Sequence, residues 1–294
     1  MTQSRTGGAD QQNSGTPTAR RMVLGAQLRR LRERAGVSRA DAGFHIRGSE
    51  SKISRMELGR VGFKERDIDD LMTLYGLSDP RERDEYLQMV KDSNEPGWWY
   101  RYHDLLPTWF TNYVGLEESA SRIQTFELQF IPGLLQTEDY ARAVASRGRP
   151  EFITEDVERR IALRMRRQKV LTRPNAPRLW AFIDEAVLHR PVGGHAVMKK
   201  QLDALLEWMT MPHIAVQVLP YGRSSHVAEG AFSVLRFAEP ELPDIVYIEY
   251  LTGAVYLDKP DDLEPYARVI DQLAVDAETP DHSRAFIEKV RNEI

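Results

Sequence analysis

One run of 21 residues, Val37–Glu57, restricts how the N-terminal part of the chain folds. It reads VSRADAGFHIRGSESKISRME. Ser38 is a typical helix N-cap and predicts a helix of about eight residues after it. Arg47-Gly48 predicts a tight turn, and Ser49 caps a second helix of similar length. Two short helices joined by a tight turn, the second with a polar outer face, form a helix-turn-helix.

Three further helices flank this pair in the predicted fold. Apolar residues at helical spacing, among them Leu24, Leu28 and Leu31, predict the first of them. Asp79 followed by Pro80 is a start signal for the last. The three helices are predicted at about residues 21–35, 64–75 and 80–92. The sequence therefore predicts a five-helix, all-α domain over residues 20–93, with a disordered tail at residues 1–19 and a linker at residues 94–97.

The remainder of the chain, residues 98–294, has a different pattern. Short runs of β-branched and aromatic residues predict strands at residues 179–183, 214–219, 232–237, 245–250 and 254–257. Helical patterns lie between and around them, at about residues 137–147, 155–171, 195–210, 261–275 and 281–292. The last strands follow one another without a helix, which favours antiparallel pairing there. The predicted fold class is α+β and multidomain: a helix-turn-helix domain followed by a mixed domain with a partly antiparallel sheet.

Charge is distributed unevenly along the chain. The net charge of the whole chain is −4, but residues 20–66 contain 13 Lys or Arg against 5 Asp or Glu. Residues 67–294 contain 26 Lys or Arg against 38 Asp or Glu. A basic N-terminal domain beside an acidic remainder indicates that the N-terminal end binds a polyanion.

The second helix of the pair is the predicted reader of double-stranded DNA, because a helix fits the major groove. Ile53 and Met56 face inward at helical spacing, which leaves the polar side chains outside. The predicted base contacts are Glu50, Ser51 and Lys52, and Ser54 belongs to the same outward-facing DNA-binding set. The predicted phosphate contacts are Arg55, Arg39 and Arg29, and Ser49 caps the helix. A single short helix contacts few base pairs, so we expect a homodimer that binds two half-sites.

From residue 24 to residue 60 the chain reads LGAQLRRLRERAGVSRADAGFHIRGSESKISRMELGR and resembles the Xre-type helix-turn-helix domain of bacterial repressors. Later segments resemble the longer actinomycete regulators that join this domain to a C-terminal antitoxin-like domain: PGWWYRYHDLLPTWF, FIPGLLQTEDYARAV, ERRIALRMRRQKVL, DEAVLHRPVGG and DIVYIEYLTGAVYLD. The resemblance implies a transcriptional regulator paired with a small partner protein encoded beside it. The chain departs from the usual pattern at Arg39, Gly43 and Arg47-Gly48, where Gln, Ala and Gly with a β-branched residue are common.

Two features of the C-terminal part predict a surface for that partner. Residues 157–171 place several cations on one helix, and residues 98–113 contain seven aromatic side chains. The candidate partner-binding residues are Arg160, Arg164, Arg167, Trp98 and Trp99. Other interpretations stay open. The helix also fits a solvated face over Val157, Ile161 and Met165 or a further DNA contact, and the aromatic run fits a core or dimer contact, or stacking on single-stranded bases.

Catalytic and metal-binding patterns do not occur in the sequence. The chain has no cysteine, its seven histidines lack metal-ligand spacing, and no G-x-S-x-G motif is present. Pro191–Gly194 predicts a turn before a helix rather than a phosphate loop. We therefore expect no enzyme activity, cofactor or metal, and a cytoplasmic protein without a membrane span. Two alternatives remain: a sensor with a small-molecule pocket in the C-terminal domain, and an enzyme using Asp184 or Glu185.

Overall fold

The computed structural model describes residues 16–146, 154–223, 230–240 and 242–294. The chain divides between Trp98 and Trp99 into two compact units, which are described separately. The predicted disordered tail lies outside the described residues as far as residue 15. Residues 17–19 correct that prediction, because they already form the start of the first helix. Thr16 caps this helix by accepting a hydrogen bond from the Ala19 amide at 3.4 Å, and Pro17 occupies its first turn.

The N-terminal unit consists of five helices, as predicted. They are α1 (Pro17–Arg34), α2 (Arg39–His45), α3 (Glu50–Glu57), α4 (Glu65–Leu74) and α5 (Pro80–Asn94). The predicted caps Ser38, Ser49 and Asp79 accept backbone N–H groups at 3.1, 3.2 and 2.9 Å. Helix α5 extends two residues beyond its predicted end. Asn94, which was expected in the linker, pairs through its side-chain amide with the backbone N–H and C=O of Phe63.

The core of this unit is built from the apolar faces of all five helices. Leu24 of α1, Ile53 of α3, Ile68 and Met72 of α4 and Val90 of α5 each have at most 1% of their surface exposed. Burying a side chain of this size contributes about 1.5–3 kcal/mol. Helix α3 therefore has one apolar face committed to the core, and its opposite face is left for solvent or a ligand.

The C-terminal unit contains six strands and seven α-helices in the described ranges. The helices are α6 (Thr108–Ser119), α7 (Glu138–Ala145), α8 (Thr154–Arg167), α9 (Glu185–His189), α10 (His195–Trp208), α11 (Pro260–Asp276) and α12 (Pro280–Glu293). The strands are β1 (Arg122–Glu127), β2 (Arg178–Asp184), β3 (Ile214–Leu219), β4 (Phe232–Arg236), β5 (Ile245–Tyr250) and β6 (Gly253–Leu257). Short 3₁₀ helices lie at Trp98–Tyr102, Gly133–Leu135 and Gln168–Leu171.

The strands form one mixed sheet in the order β3-β2-β1-β4-β5-β6. β1 and β3 pair with β2 in parallel, whereas the β1–β4, β4–β5 and β5–β6 pairs are antiparallel. The predicted α+β class and the partly antiparallel sheet are confirmed. β1 and α6 were not predicted, although β1 joins the parallel half of the sheet to the antiparallel half. The predicted turn at residues 191–194 is also confirmed, since Gly194 caps α10.

The two faces of the sheet have different neighbours. Phe126, Phe182 and Phe232 point to one face and pack with Ile270 and Leu273 of α11. Because side chains alternate along a strand, the odd-numbered residues of β1 point to the other face. That second face carries a cavity, which is described below. No helix within the described residues combines the length and the apolar character that crossing a membrane requires.

Candidate nucleic-acid interface

Helix α1 crosses the last turn of α3 in direct backbone contact at Gly25. A Cβ atom on Gly25 would lie 2.4 Å from the Met56 carbonyl oxygen and 2.7 Å from that of Glu57. Both distances are far below van der Waals contact, so only glycine fits at this position. The contact fixes the depth at which α3 sits against α1.

A buried ion-pair network centred on Glu57 adds to this anchoring. Arg32 of α1 donates to the Glu57 carboxylate from Nε at 2.5 Å and from Nη2 at 3.2 Å. Arg39 of α2 donates to the same carboxylate at 2.9 Å. The side chains of Glu57 and Arg32 are 3% and 9% exposed. The hydrogen bond to Glu57 raises the pKa of Arg32. Glu57 therefore connects α3 to α1 through a pair of charges shielded from solvent and to α2 through the partly exposed Arg39.

The turn between α2 and α3 has a well-defined geometry despite its unusual sequence. Gly48 N–H donates to Gly43 O at 2.7 Å and Arg47 N–H donates to Phe44 O at 3.0 Å, which is the Schellman pattern. Arg47 has a φ of 54° and occupies the left-handed position that glycine usually takes. A Cβ atom on Gly43 would lie 2.8 Å from the Ser49 carbonyl carbon, so an alanine there would collide with the start of α3.

The outer face of α3 presents part of the predicted DNA-binding set. Glu50, Ser51 and Arg55 are exposed and Ser54 is half-buried, whereas Ile53 and Met56 are buried as predicted. The Ser49 hydroxyl accepts the Lys52 amide, which caps the helix and leaves its positive end at the surface. Arg55 donates from Nε to the Ser51 carbonyl at 3.3 Å and makes no ion pair with any described residue.

The other predicted DNA-binding cations are paired with acidic residues. Lys52 Nζ lies 2.6 Å from Oδ2 of Asp67 on α4, and about a third of its side chain is exposed. Arg39 pairs with Glu57, as described above, and Arg29 pairs with Glu33 one turn later on α1 at 2.8 Å. The structure thus brings Glu50, Ser51, Ser54 and Arg55 together on one face of α3. It directs Lys52 toward α4 and Arg39 toward the buried carboxylate.

The candidate partner-binding residues are not arranged on one outer face. Trp99 is 4% exposed, and Arg167 is 7% exposed. Arg167 donates from Nε and Nη2 to the Glu117 carboxylate at 2.8 and 2.7 Å. The predicted solvated face of α8 is therefore wrong at Arg167. The buried residues of α8 are Ile161, Leu163 and Arg167 rather than Val157, Ile161 and Met165. Arg167 is buried because it forms an ion pair with Glu117 of α6, while the helix packs against α7.

Arg160, Arg164 and Arg167 all line a cavity of about 860 Å³ on the second face of the sheet. Its walls come from α6, β1, the segment after β1, α8, β4 and β5. Arg164 donates to the Gln136 side chain at 2.6 Å. Burial and the neighbouring charge of Arg167 lower the pKa of Arg164 to about 10. Burial and the charge of Glu249 raise the pKa of Glu127 to about 8, against the opposing effect of Arg164.

Asp184 and Glu185, the residues of the enzyme alternative, both make contacts that stabilise the fold. Asp184 caps α9 by accepting the Ala186 amide at 2.8 Å. Glu185 accepts the Tyr221 amide at 2.8 Å and lies 3.3 Å from Nε2 of His189. Within the described ranges no group of three His, Asp or Glu side chains is placed to hold a metal ion.

The sequence interpretation missed the acidic residues that organise both units. A signal for Glu57 was available: it lies four residues after the inward-facing Ile53, and this spacing places it on the buried face of α3. Glu117 likewise lies four residues after Tyr113 on α6. Glu127 is the last residue of β1, which was not predicted, and Glu249 is the second-last residue of β5. No local sequence signal distinguishes them from surface residues.

Comparisons with known proteins agree with the division of the chain. A model described as a helix-turn-helix domain matches residues 23–86. A model described as a domain of unknown function, DUF5753, matches residues 110–289. A comparison with curated proteins and one with solved structures each found no match. The helix-turn-helix match indicates a DNA-binding regulator. Because the second model covers more than half of the chain, the chain belongs to the DUF5753 family, with a helix-turn-helix domain at its N-terminal end.

Proposed function

We propose that the chain is a sequence-specific transcriptional regulator that reads double-stranded DNA with α3. The observation that carries the proposal is the combination of a fixed inner face and a free outer face on this helix. Gly25 and Glu57 anchor α3 by backbone contact and buried charge, while Glu50, Ser51 and Arg55 are exposed. A rigidly held helix with exposed polar residues at its N-terminal end is what major-groove readout requires.

The individual roles follow from the surroundings of each side chain. Glu50 and Ser51 are proposed base contacts, Ser49 directs the positive helix end at a phosphate, and Arg55 binds phosphate. Lys52 is proposed to reach guanine, and for this it must exchange Asp67 for the base edge. Arg39 braces α3 through Glu57 and has 36% of its side chain exposed, which leaves it able to contact the DNA backbone as well.

We also propose that the C-terminal unit dimerises and binds a small partner protein encoded beside this chain. The resemblance to actinomycete regulators supports this proposal. Buried Arg167 and Trp99 do not offer a docking surface. Exposed apolar residues at the β5–β6 hairpin are better suited to one: Tyr250, Leu251 and Val255 are 53%, 86% and 41% exposed. A regulator of this kind binds chromosomal DNA, so we propose that it is cytoplasmic. Its proposed function requires no catalytic activity.

DNA binding is tested with duplexes selected from a random library by the full-length chain. Anisotropy titrations at several salt concentrations then compare three variants. Arg55→Ala weakens binding to every duplex and flattens the slope of log K against log salt by about one. Lys52→Ala costs about 1–3 kcal/mol on the selected duplex and relaxes preference at one base position. Arg268→Ala is the matched control, because it removes an exposed arginine from α11.

Two results would contradict the proposal. If the full-length chain enriches no sequence from the library, it does not read DNA specifically. If Arg55→Ala and Arg268→Ala reduce affinity equally, the outer face of α3 is not the interface. An equal loss for Lys52→Ala on selected and random duplexes would assign Lys52 to phosphate contact instead of base contact.

A second candidate function, small-molecule sensing by the C-terminal unit, is favoured by one observation. The cavity of about 860 Å³ falls within the volume range of ligand sites and is lined by both aromatic and charged side chains.

A further inference from the structure

The cavity on the second face of the sheet contains one closed set of charges. The Glu117–Arg167 pair is bidentate, and both side chains are buried. The guanidinium of Arg167 also lies over the rings of Phe110 and Tyr113, at 5.0 and 5.5 Å from their centroids. Tyr113 in turn stacks on Tyr247 at 4.1 Å. These groups satisfy one another, so they form a rigid wall of the cavity and do not require a ligand.

The carboxylate of Glu127 is different, because its own surroundings do not satisfy it. Glu127 ends β1 and lines the cavity, and within the described residues its carboxylate makes no hydrogen bond and no ion pair. Glu249 of β5 faces the same space and accepts a hydrogen bond from the Tyr247 hydroxyl at 2.8 Å. Glu127 is half-buried and Glu249 is exposed. The negative charge of Glu249 opposes ionisation of Glu127, and one positive charge placed between the two carboxylates removes the repulsion.

The surrounding cations do not supply that charge directly. Arg167 is occupied by Glu117, and Arg164 donates its hydrogen bond to Gln136 while acting on Glu127 only through space. Arg160 also lines the cavity and is not among the charges that act on Glu127. Protonation of Glu127 is the solution available to the cavity by itself, and its pKa of about 8 agrees with this. A cationic ligand removes the repulsion in a second way, because Glu127 then loses its proton and pairs with the ligand.

The apolar lining determines the remainder of the ligand. Aromatic residues occur on several walls, at Trp109, Phe110, Phe130 and Tyr250. Such rings bind flat apolar groups and attract cations to their faces. The cavity volume is ample for one or two aromatic rings with a short side chain.

We propose that this cavity binds an aromatic amine, with the ammonium group between Glu127 and Glu249 and the ring against the aromatic walls. Binding releases a proton from Glu127 to solvent, because the ligand cation replaces it. Any effect of the amine on DNA rests on the regulatory function proposed above, whereas amine binding itself does not depend on DNA.

The test uses tryptamine and its acidic counterpart indole-3-propionate, which have the same ring and chain length but opposite charge. Calorimetric titrations of the full-length chain at pH 7 are run in two buffers that differ in ionisation enthalpy. A group with a pKa of about 8 is about nine-tenths protonated at pH 7, so tryptamine binding should release close to one proton. Tryptamine affinity should then rise about tenfold from pH 6 to pH 7 and about fivefold from pH 7 to pH 8, where half of the Glu127 side chains are already deprotonated. Indole-3-propionate should bind at least tenfold more weakly at pH 7.

Glu127→Gln is the informative variant, since it keeps the side-chain shape and removes the titrating proton. It should lower tryptamine affinity at least tenfold at pH 8 and abolish the buffer dependence of the heat. Glu264→Gln is the matched control, because it changes an exposed glutamate on α11 that is 67% exposed. Hydrogen exchange of the full chain distinguishes binding in the cavity from binding at the surface. Tryptamine should slow exchange of the β1 and α8 amides in the parent chain and in the Glu264→Gln variant. It should not slow exchange of these amides in Glu127→Gln.

The inference is overturned if indole-3-propionate binds more tightly than tryptamine, or if tryptamine binding takes up a proton instead of releasing one. It is also overturned if tryptamine does not bind at about 10 mM, or if Glu127→Gln binds it with unchanged affinity. The DNA-binding proposal is judged separately, by titrating selected duplexes with and without tryptamine. If the full-length chain selects no duplex in the absence of tryptamine but still binds tryptamine, the regulator is refuted and the amine site stands.

Discussion

Replacing Glu57 with glutamine tests whether shielded charge holds α3 in position. The substitution leaves Arg32, whose side chain is only 9% exposed, with the exposed carboxylate of Glu33 at 3.4 Å as its anionic partner and removes the buried one. Removing one partner of a buried pair costs about 3–5 kcal/mol. Glutamine keeps the volume and one acceptor, which places the expected loss near the lower end, about 3 kcal/mol. Arg39 adds little to this figure, because its side chain is 36% exposed and the loss of an exposed pair costs about 0–1 kcal/mol.

Hydrogen exchange resolved by peptide is the suitable assay for the full-length chain. Four of the five tryptophans lie in the C-terminal unit and Trp98 follows the last N-terminal helix, so indole fluorescence reports mainly on the C-terminal unit. A loss of about 3 kcal/mol accelerates exchange of the protected α3 amides about 150-fold. Glu33→Gln is the matched control: Glu33 lies 3.4 Å from the same Arg32 but is 51% exposed, and its removal should change exchange by less than about fivefold. Equal effects of the two variants, or α3 exchange unchanged by Glu57→Gln, would refute the reasoning.

Two further predictions concern a close contact and a titration. Gly25→Ala inserts a methyl group 2.4 Å from the Met56 carbonyl oxygen, so it should destabilise the N-terminal unit by about 1–3 kcal/mol and weaken DNA binding. Hydrogen exchange of the α1 and α3 amides measures the loss of stability. Unchanged exchange would mean that the two helices can move apart without cost. The pKa of Glu127 rises from 4.5 to about 8 on folding, so the folded state binds the extra proton and the unfolding free energy falls as pH rises from about 5 to 8. Glu127→Gln should flatten this fall in denaturant titrations followed by tryptophan fluorescence, and an unchanged slope would assign the titration elsewhere.

The helices of the N-terminal unit were predictable because their signals are local. Ser38, Ser49 and Asp79 cap their helices by bonding to amides two or three residues away, and short-range patterns of this kind are visible in the sequence. The start of α1 was placed late because Thr16 and Pro17 lie inside a polar stretch whose composition resembles a disordered tail. Cap chemistry decided that boundary, and overall composition did not.

β1 was missed because its sequence, RIQTFE, has neither the apolar run nor the alternation of an ordinary strand. Gln124 and Thr125 are nevertheless buried, since β1 has neighbours on both edges of the strand and on both faces of the sheet. Helix α6 was missed because its aromatic residues suggested stacking or interface contacts. They pack on β5 and β6 instead: Tyr113 stacks on Tyr247, and the Tyr256 hydroxyl donates to the Trp109 carbonyl at 2.5 Å.

The candidate sites divide in the same way. The exposed residues of α3 were predictable from helical spacing, but the partners of Lys52 and Arg39 come from α4 and from the buried end of α3. The charged cavity was not predictable, because its carboxylates lie on α6, β1 and β5, which are brought together only by the sheet order.

The position of β1 also sets the timing of events at the ribosome. Ile123 is translated 112 residues before Leu235, its antiparallel partner on β4. At about 5–20 residues per second, this strand waits several seconds or more for its second neighbour, while the five helices ahead of it have already left the exit tunnel. A nascent chain therefore contains all five N-terminal helices before the strands that line the cavity have been made, so these helices fold without help from any ligand of the cavity.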